Sequence, residues 1–254
     1  MTRFALPLLT LAVGCGHLAE PIGPDPVDAQ FVFPRDGARS ASVELLTNGD
    51  LAVRGGSCSL AQARARYDAK RAHADTQYAL DENGQGIVEV ELLGKAGRGG
   101  DMDLDICLST ELPMNLRATS TLGDIGMDLS GVQVRGLGST VGIGDLDVDF
   151  GDASVAQASI TVEAGTGDVS VDAKRSTWTG TNEISIASGT GDVTVYLPRG
   201  IGLQVEVEHG IGDIVVRGLE QDGDEYTNSL AASSENVLEL EIEVGTGDVT
   251  VIAG

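Results

Sequence analysis

Aromatic side chains are scarce in this chain of 254 residues and make up only 4% of it. Globular cores usually draw much of their volume from aromatic rings. We therefore expect a thin core of Val, Ile, Leu and Ala, such as a narrow solenoid or a small sandwich provides. The length suits one sizeable domain or two small ones.

Basic residues are also few, since 16 Lys and Arg stand against 39 Asp and Glu and give a formal net charge of -23. Such a field repels nucleic-acid phosphates and anionic lipid headgroups. The composition therefore excludes nucleic acid as a partner.

Catalytic motifs are missing as well. The three histidines, His17, His73 and His209, lie in unrelated contexts. The sequence has no Gly-x-Ser-x-Gly elbow, His-Glu-x-x-His run or P-loop. We predict a protein that is not an enzyme, with no catalytic residue and no organic cofactor.

Cysteine occurs three times, and the first one closes a targeting signal. Arg3 precedes an apolar run over residues 4–13 that is too short to span a bilayer. Residues 11–15, Leu-Ala-Val-Gly-Cys, resemble the lipobox of bacterial lipoproteins. That resemblance implies a signal peptide over 1–14 and lipidation of Cys15. Because Gly16 rather than aspartate follows, it also implies sorting to the outer membrane; an ordinary secretory signal is the alternative.

A proline-rich tether is expected over residues 15–39, because Pro21, Pro24, Pro26 and Pro34 favour an extended spacer. The folded domain is expected over 40–254. Cys58 and Cys107 lie within it, and an exported chain can pair them. The sequence leaves this disulfide open because it does not report the Cα separation.

The N-terminal part of the domain, residues 40–113, contains one segment whose apolar residues recur at helical spacing rather than at the spacing of a strand. Residues 59–75 are rich in Ala and Arg, with apolar side chains at helical spacing, and predict a short helix. The basic residues of this segment would lie on a solvated face or bind an anionic partner.

A short motif recurs through residues 114–254. Gly-x-Gly-Asp, followed by alternating apolar residues, occurs at 142–145, 165–168, 189–192, 210–213 and 245–248. A degenerate copy ends at Asp124, and Asn48-Gly49-Asp50 is a distant echo. Spacings of 21 to 24 residues, with a last one of 35, indicate stacked β repeats. The fold class is therefore all-β, either a β-solenoid-like stack of roughly 20-residue repeats or an antiparallel hairpin meander or sandwich.

These motifs, with the strand that ends in Leu112-Pro113, resemble the bacterial putative-adhesin family over roughly residues 40–254. The resemblance implies a β-repeat domain at the cell envelope that binds or scaffolds. Some members are encoded beside envelope-stress regulators, which makes a partner-binding module in stress sensing the alternative. A β-helical enzyme acting on polysaccharide is a distant alternative.

Two groups of side chains are candidate sites. We call each Gly-x-Gly-Asp motif a corner, because it joins two strands. Stacking would align the aspartates of four corners, and their oxygens can bind Ca²⁺; they are Asp145, Asp168, Asp192 and Asp213. One loop combines two cations with the only tryptophan, and these residues could hold a sugar or an anionic polymer; they are Lys174, Arg175 and Trp178.

End-to-end self-association is a further expectation. The sequence ends at Gly254, soon after its last predicted strand, and an uncapped stack end is a template for another strand. On that basis a proline at Thr250 would abolish association. The alternative is that the polar interval 220–236 folds over the end.

Overall fold

The computed structural model describes residues 27–94 and 102–254. The predicted signal peptide, Cys15 and residues 15–26 of the predicted tether lie outside the described residues. Within those residues the protein is all-β, with 22 strands in two mixed sheets. None of the described segments is a helix long and apolar enough to cross a bilayer.

Seven strands form the N-terminal part. They are β1 (Val27–Phe33), β2 (Ser40–Thr47), β3 (Asp50–Gly56), β4 (Ala61–Tyr67), β5 (Ala72–Leu80), β6 (Gln85–Gly94) and β7 (Asp103–Ser109).

The repeats follow, each with a longer strand before the corner and a shorter strand after it. The strands of this part are β8 (Pro113–Leu122), β9 (Ile125–Asp128), β10 (Gln133–Ile143), β11 (Leu146–Asp149), β12 (Ser154–Thr166), β13 (Val169–Asp172), β14 (Thr177–Thr179), β15 (Thr181–Thr190), β16 (Val193–Leu197), β17 (Gly202–Ile211), β18 (Ile214–Arg217), β19 (Glu220–Asp222), β20 (Glu225–Thr227), β21 (Val237–Thr246) and β22 (Val249–Ala253).

The two strands of each repeat belong to different sheets. The ten-stranded sheet has the order β1-β4-β7-β3-β9-β11-β13-β16-β22-β18. The twelve-stranded sheet has the order β19-β20-β17-β21-β15-β12-β10-β8-β2-β6-β5, with β14 paired to β12. Neighbouring repeats pair in parallel in both sheets, so a hairpin meander is not their topology.

The last repeat does not lie at the end of the stack. Strand β21 pairs with β15 on one side and β17 on the other, and β22 lies between β16 and β18 in the same way. Thr250 is therefore inside a sheet, and the expectation that the final strand forms the open end is wrong. The alternative is that the polar interval 220–236 folds over the end of the stack. The first residues of this interval do so in part, because β20 pairs with Gln204–Glu206 of β17.

The predicted helix over 59–75 is wrong. Ala61, Ala63 and Ala65 of β4 are buried, while Gln62 and Arg64 between them face outward. This is the period of a strand, and pairing of β4 with both β1 and β7 overrides the helical preference of Ala and Arg.

The predicted tether is too long at its C-terminal end. Residues 27–33 form β1, which pairs with β4 along its whole length. Phe33 is buried in the core, and Asp28 forms an ion pair with Arg64 of β4. The prolines at 21, 24, 26 and 34 flank this strand without interrupting it.

A single hydrophobic cluster joins the inner faces of both sheets. It is composed largely of Val, Leu, Ile and Ala, with few aromatic rings, as the composition predicts. Alternation along each strand positions one side chain in two toward this core. The other side chains form the polar outer faces.

Candidate functional site

The corners require glycine for two separate physical reasons. At Gly165, the first glycine of its motif, a Cβ would lie 2.5 Å from the carbonyl oxygen of Gly142 in the neighbouring repeat. Gly167, the second, has a positive φ of 138°, which side chains strongly disfavour. A Cβ there would also overlap the carbonyl oxygen of Gly144. The motif therefore permits close backbone stacking of consecutive corners.

The corner aspartates form a continuous hydrogen-bonded ladder. The backbone N–H of Asp168 donates to Oδ1 of Asp145 at 2.9 Å, and the backbone N–H of Asp192 donates to Oδ1 of Asp168 at 2.9 Å. The same contact recurs at every corner, in the order Asp50, Asp124, Asp145, Asp168, Asp192, Asp248 and Asp213. Each carboxylate therefore accepts a hydrogen bond from the corner of the neighbouring repeat rather than from its own corner.

The structure aligns the four aspartates predicted to bind Ca²⁺ but separates two of them. Asp248 lies between Asp192 and Asp213 because the last repeat is inserted there. In the described ranges, no group of three or more His, Cys, Asp or Glu side chains is arranged to hold a metal ion. Hydrogen bonding to backbone N–H groups accounts for the column without a cation.

The sequence contained the signal for three ladder members that were left out of the predicted site. Asp50 and Asp124 precede apolar strands in shortened forms of the motif, and Asp248 belongs to a complete copy. Their positions in the ladder depend on strand order, which sequence spacing does not report.

Trp178 is not placed on the surface, where a residue that stacks on a sugar would have to lie. Its side chain is only 3% exposed and packs on Phe150, with ring centroids 5.5 Å apart. The indole N–H donates to Oγ of Ser176 at 2.7 Å. A ring buried in this way has no free face on which a sugar could stack.

Lys174 and Arg175 are used in local contacts beside that buried ring. Nζ of Lys174 lies 3.0 Å from Oδ2 of Asp172 and 4.0 Å from the ring centroid of Tyr196. Arg175 lies 3.6 Å from Oδ2 of Asp149. The structure therefore does not bring the three predicted ligand-binding residues together on one surface.

Cys58 and Cys107 form a disulfide, with a Cα separation of 6.3 Å. The bond joins the loop after β3 to the neighbouring strand β7. Gly56 lies beside it, where a Cβ would be 2.9 Å from Sγ of Cys107. The disulfide therefore fixes the N-terminal part of the ten-stranded sheet.

A shallow groove of about 700 Å³ crosses five strands of the twelve-stranded sheet next to the corners. Corner glycines line it, with three carboxylates from Glu163, Glu208 and Glu243. His209 also lines the groove, and its Nε2 is 2.9 Å from the carbonyl oxygen of Gly212. The sequence alone did not indicate that this histidine and these carboxylates share one surface.

The fold and these surfaces define a class: an all-β repeat protein whose corners stack in a polar ladder. Residues 23–172, more than half of the chain, match the family described as the N-terminal domain of toast_rack, DUF2154. The chain belongs to that family. Residues 143–251 also match the C-terminal domain of LiaF, described as a cell wall-active antibiotics response protein.

One solved structure supports the fold, and a second is similar at a lower level. A putative cell adhesion protein from Clostridium sporogenes superposes with a TM-score of 0.67 at 21% identity, over 91% of this chain and 100% of that one. A putative adhesin from Bacteroides fragilis gives a TM-score of 0.35 at 9% identity, over 90% and 98% of the two chains. A search of curated protein sequences finds no match to this chain.

Proposed function

We propose that this protein is a lipid-anchored envelope protein that binds or scaffolds and does not catalyse. The repeats would form a solenoid-like rod, and the lipid on Cys15 would hold it at the outer membrane. The observation that carries the proposal is the parallel stacking of repeats, which presents a long and regular outer face. Regular faces of this kind are typical of repeat proteins that bind extended partners.

The groove beside the corners is the proposed binding surface. Its carboxylates come from three different strands, β12, β17 and β21, and face solvent together. Neither lysine nor arginine is among its lining residues. An envelope protein or polysaccharide that offers cationic groups or hydroxyl donors is the complementary partner.

The test is a pull-down from envelope fractions with the anchored full-length protein, comparing two variants. Glu163→Gln combined with Glu243→Gln removes charge from the groove while keeping side-chain size. Glu91→Gln removes a charge from the same sheet at its other end and is the matched control. We expect the groove variant to lose its partner and the control to retain it; equal recovery by both would contradict the proposal.

Anchoring is tested separately. Cys15→Ser should release the protein from the membrane fraction and abolish incorporation of labelled palmitate. Retention of label in that variant would refute the lipoprotein part of the proposal.

A role in envelope-stress sensing is the second candidate, favoured by the match of residues 143–251 to the LiaF C-terminal domain. Deleting the gene should change the response of a stress reporter to cell-wall antibiotics, and the groove variant should reproduce that change. The more distant possibility, an enzyme acting on polysaccharide, predicts turnover on a panel of envelope and host polysaccharides.

A further inference from the structure

Among residues 27–94 and 102–254, the hydrophobic core is closed along the stack but only partly covered at its two ends. Ten apolar side chains pack against the core while staying only partly buried, and they lie at one end or the other. They are Phe31, Tyr67, Ala74 and Tyr78 at the N-terminal end, and Val207, Ile214, Val216, Leu219, Tyr226 and Ala253 at the C-terminal end.

Strand β18 is the edge of the ten-stranded sheet at the C-terminal end. Ile214 and Val216 point inward beside Val249 and Val251, which are fully buried on the neighbouring strand. In the part of the chain that is described, β18 pairs with β22 alone. Apart from Arg217 at its end, this edge strand is apolar and lacks proline, and such an edge is a template for another strand.

The twelve-stranded sheet is only half covered at the same end. Strand β20 pairs with Gln204–Glu206 of β17 and leaves Val207–Ile211 without a pairing strand on that side in the described structure. Ile211 is 71% exposed, and Val215 on the adjacent edge strand is 38% exposed. Both sheets therefore present unpaired backbone and apolar side chains together.

The N-terminal end offers a strand of the matching direction. Strand β1 is antiparallel to β4, and β4 is antiparallel to β7, so β1 runs in the same direction as the parallel strands from β7 to β18. A second copy, translated along the stack, would place its β1 parallel to β18. Val32 on the outer face of β1 is 65% exposed.

Charge disfavours contact between two C-terminal ends more strongly than contact between a C-terminal end and an N-terminal end. Residues 177–254 carry fourteen acidic and two basic side chains, whereas residues 27–94 carry ten acidic and seven basic ones. Two C-terminal ends would repel each other. The arginine-containing N-terminal part is the more complementary surface.

We propose that the C-terminal end of one copy binds the N-terminal end of a second copy, with β1 adding in parallel beside β18. Such a contact uses different surfaces on the two copies, so it extends into a row unless the rotation closes a ring. The half-buried residues at both ends become core residues at each junction. The proposed self-association does not depend on the groove having a ligand, although Glu208, His209 and Gly210 of the groove lie on the unpaired stretch of β17.

Sedimentation velocity of the purified full-length protein over a wide concentration range tests the proposal. Val32→Lys blocks the N-terminal end and Val215→Lys blocks the C-terminal end, both at exposed positions where a charge leaves the core intact. Ile143→Lys makes the same change at a position that is 58% exposed but lies on β10 in the middle of a sheet, and is the control. Circular dichroism confirms the fold of each variant.

We expect the wild-type protein and the control to associate with rising concentration, and each end variant alone to remain a monomer. Mixing the two end variants should give 1:1 dimers and nothing larger. The free C-terminal end of Val32→Lys binds the free N-terminal end of Val215→Lys, and both remaining ends of the dimer are blocked. A wild-type protein that is monomeric throughout would overturn the proposal. So would association of Val32→Lys with itself, which indicates pairing of two C-terminal ends, or a mixture that stays monomeric.

Discussion

Substituting alanine for one corner glycine should be far more destabilising than the same substitution on a strand. Gly191 has a positive φ of 140°, and a Cβ there would overlap the carbonyl oxygen of Gly167. Strained backbone of this kind costs about 1–3 kcal/mol, and overpacking adds about 1–3 kcal/mol. We therefore expect Gly191→Ala to lower the free energy of unfolding by roughly 2–6 kcal/mol.

The matched control is Gly138→Ala on β10, where no atom lies within 4 Å of the added Cβ and φ is ordinary. That variant should be neutral or more stable by about 0.5 kcal/mol, because alanine loses less backbone entropy on folding. Urea unfolding followed by the fluorescence of the buried Trp178 measures both. Equal stability of the two variants would refute the reasoning that the corners stack in contact.

Three further predictions concern the ladder, the disulfide and acid sensitivity. Asp168→Ala removes the acceptor for the Asp192 backbone N–H and should lower the free energy of unfolding by about 1 kcal/mol. Asp168→Asn keeps an acceptor oxygen and should lower the free energy of unfolding by less. The urea midpoint distinguishes the two variants. Replacing both Cys58 and Cys107 by serine opens a 49-residue separation and should cost up to about 4 kcal/mol, and reduction of the wild-type protein should cost the same. Hydrogen bonds from the Ser130 side chain and backbone hold the pKa of Asp128 below its ordinary value. Its stabilising effect is therefore full above about pH 4 and disappears as the pH falls through the lowered pKa. Asp128→Asn should lack this acid-dependent loss in urea midpoints measured across that range.

The strand pattern could be predicted from the sequence because alternation is a local property. Val169 and Val171, for instance, alternate with polar residues and are buried, as their period of two requires. The corners could be predicted for the same reason, since glycine and aspartate carry the turn within four residues.

Strand order could not be predicted, because it depends on contacts between distant segments. The corners ending at Asp192, Asp213 and Asp248 are chemically almost identical, so sequence gives no reason to place Asp248 between the other two. The helix prediction failed for a related reason. Residues 61–67 have helical composition, but two neighbouring strands bury Ala61 and Ala63 on one face.

The candidate sites depended on burial, which local sequence reports poorly. Trp178 follows two cations in a loop-like sequence, yet it packs on Phe150 from another repeat. Conversely, His209 directly precedes the motif at 210–213, but it lies in the groove only because β17 pairs with β21.

The stacking order of the corners is the claim on which the ladder, the groove and the open end all depend. Engineered cysteine pairs test it most directly, because a disulfide needs Cα atoms within about 7 Å. Thr190 pairs with Thr246 across adjacent strands, whereas Ile211 lies one strand further away. We predict that Thr190→Cys with Thr246→Cys forms a second disulfide under mild oxidation, and that Thr190→Cys with Ile211→Cys does not. The opposite result, measured by mass spectrometry of the digested protein, would contradict the account.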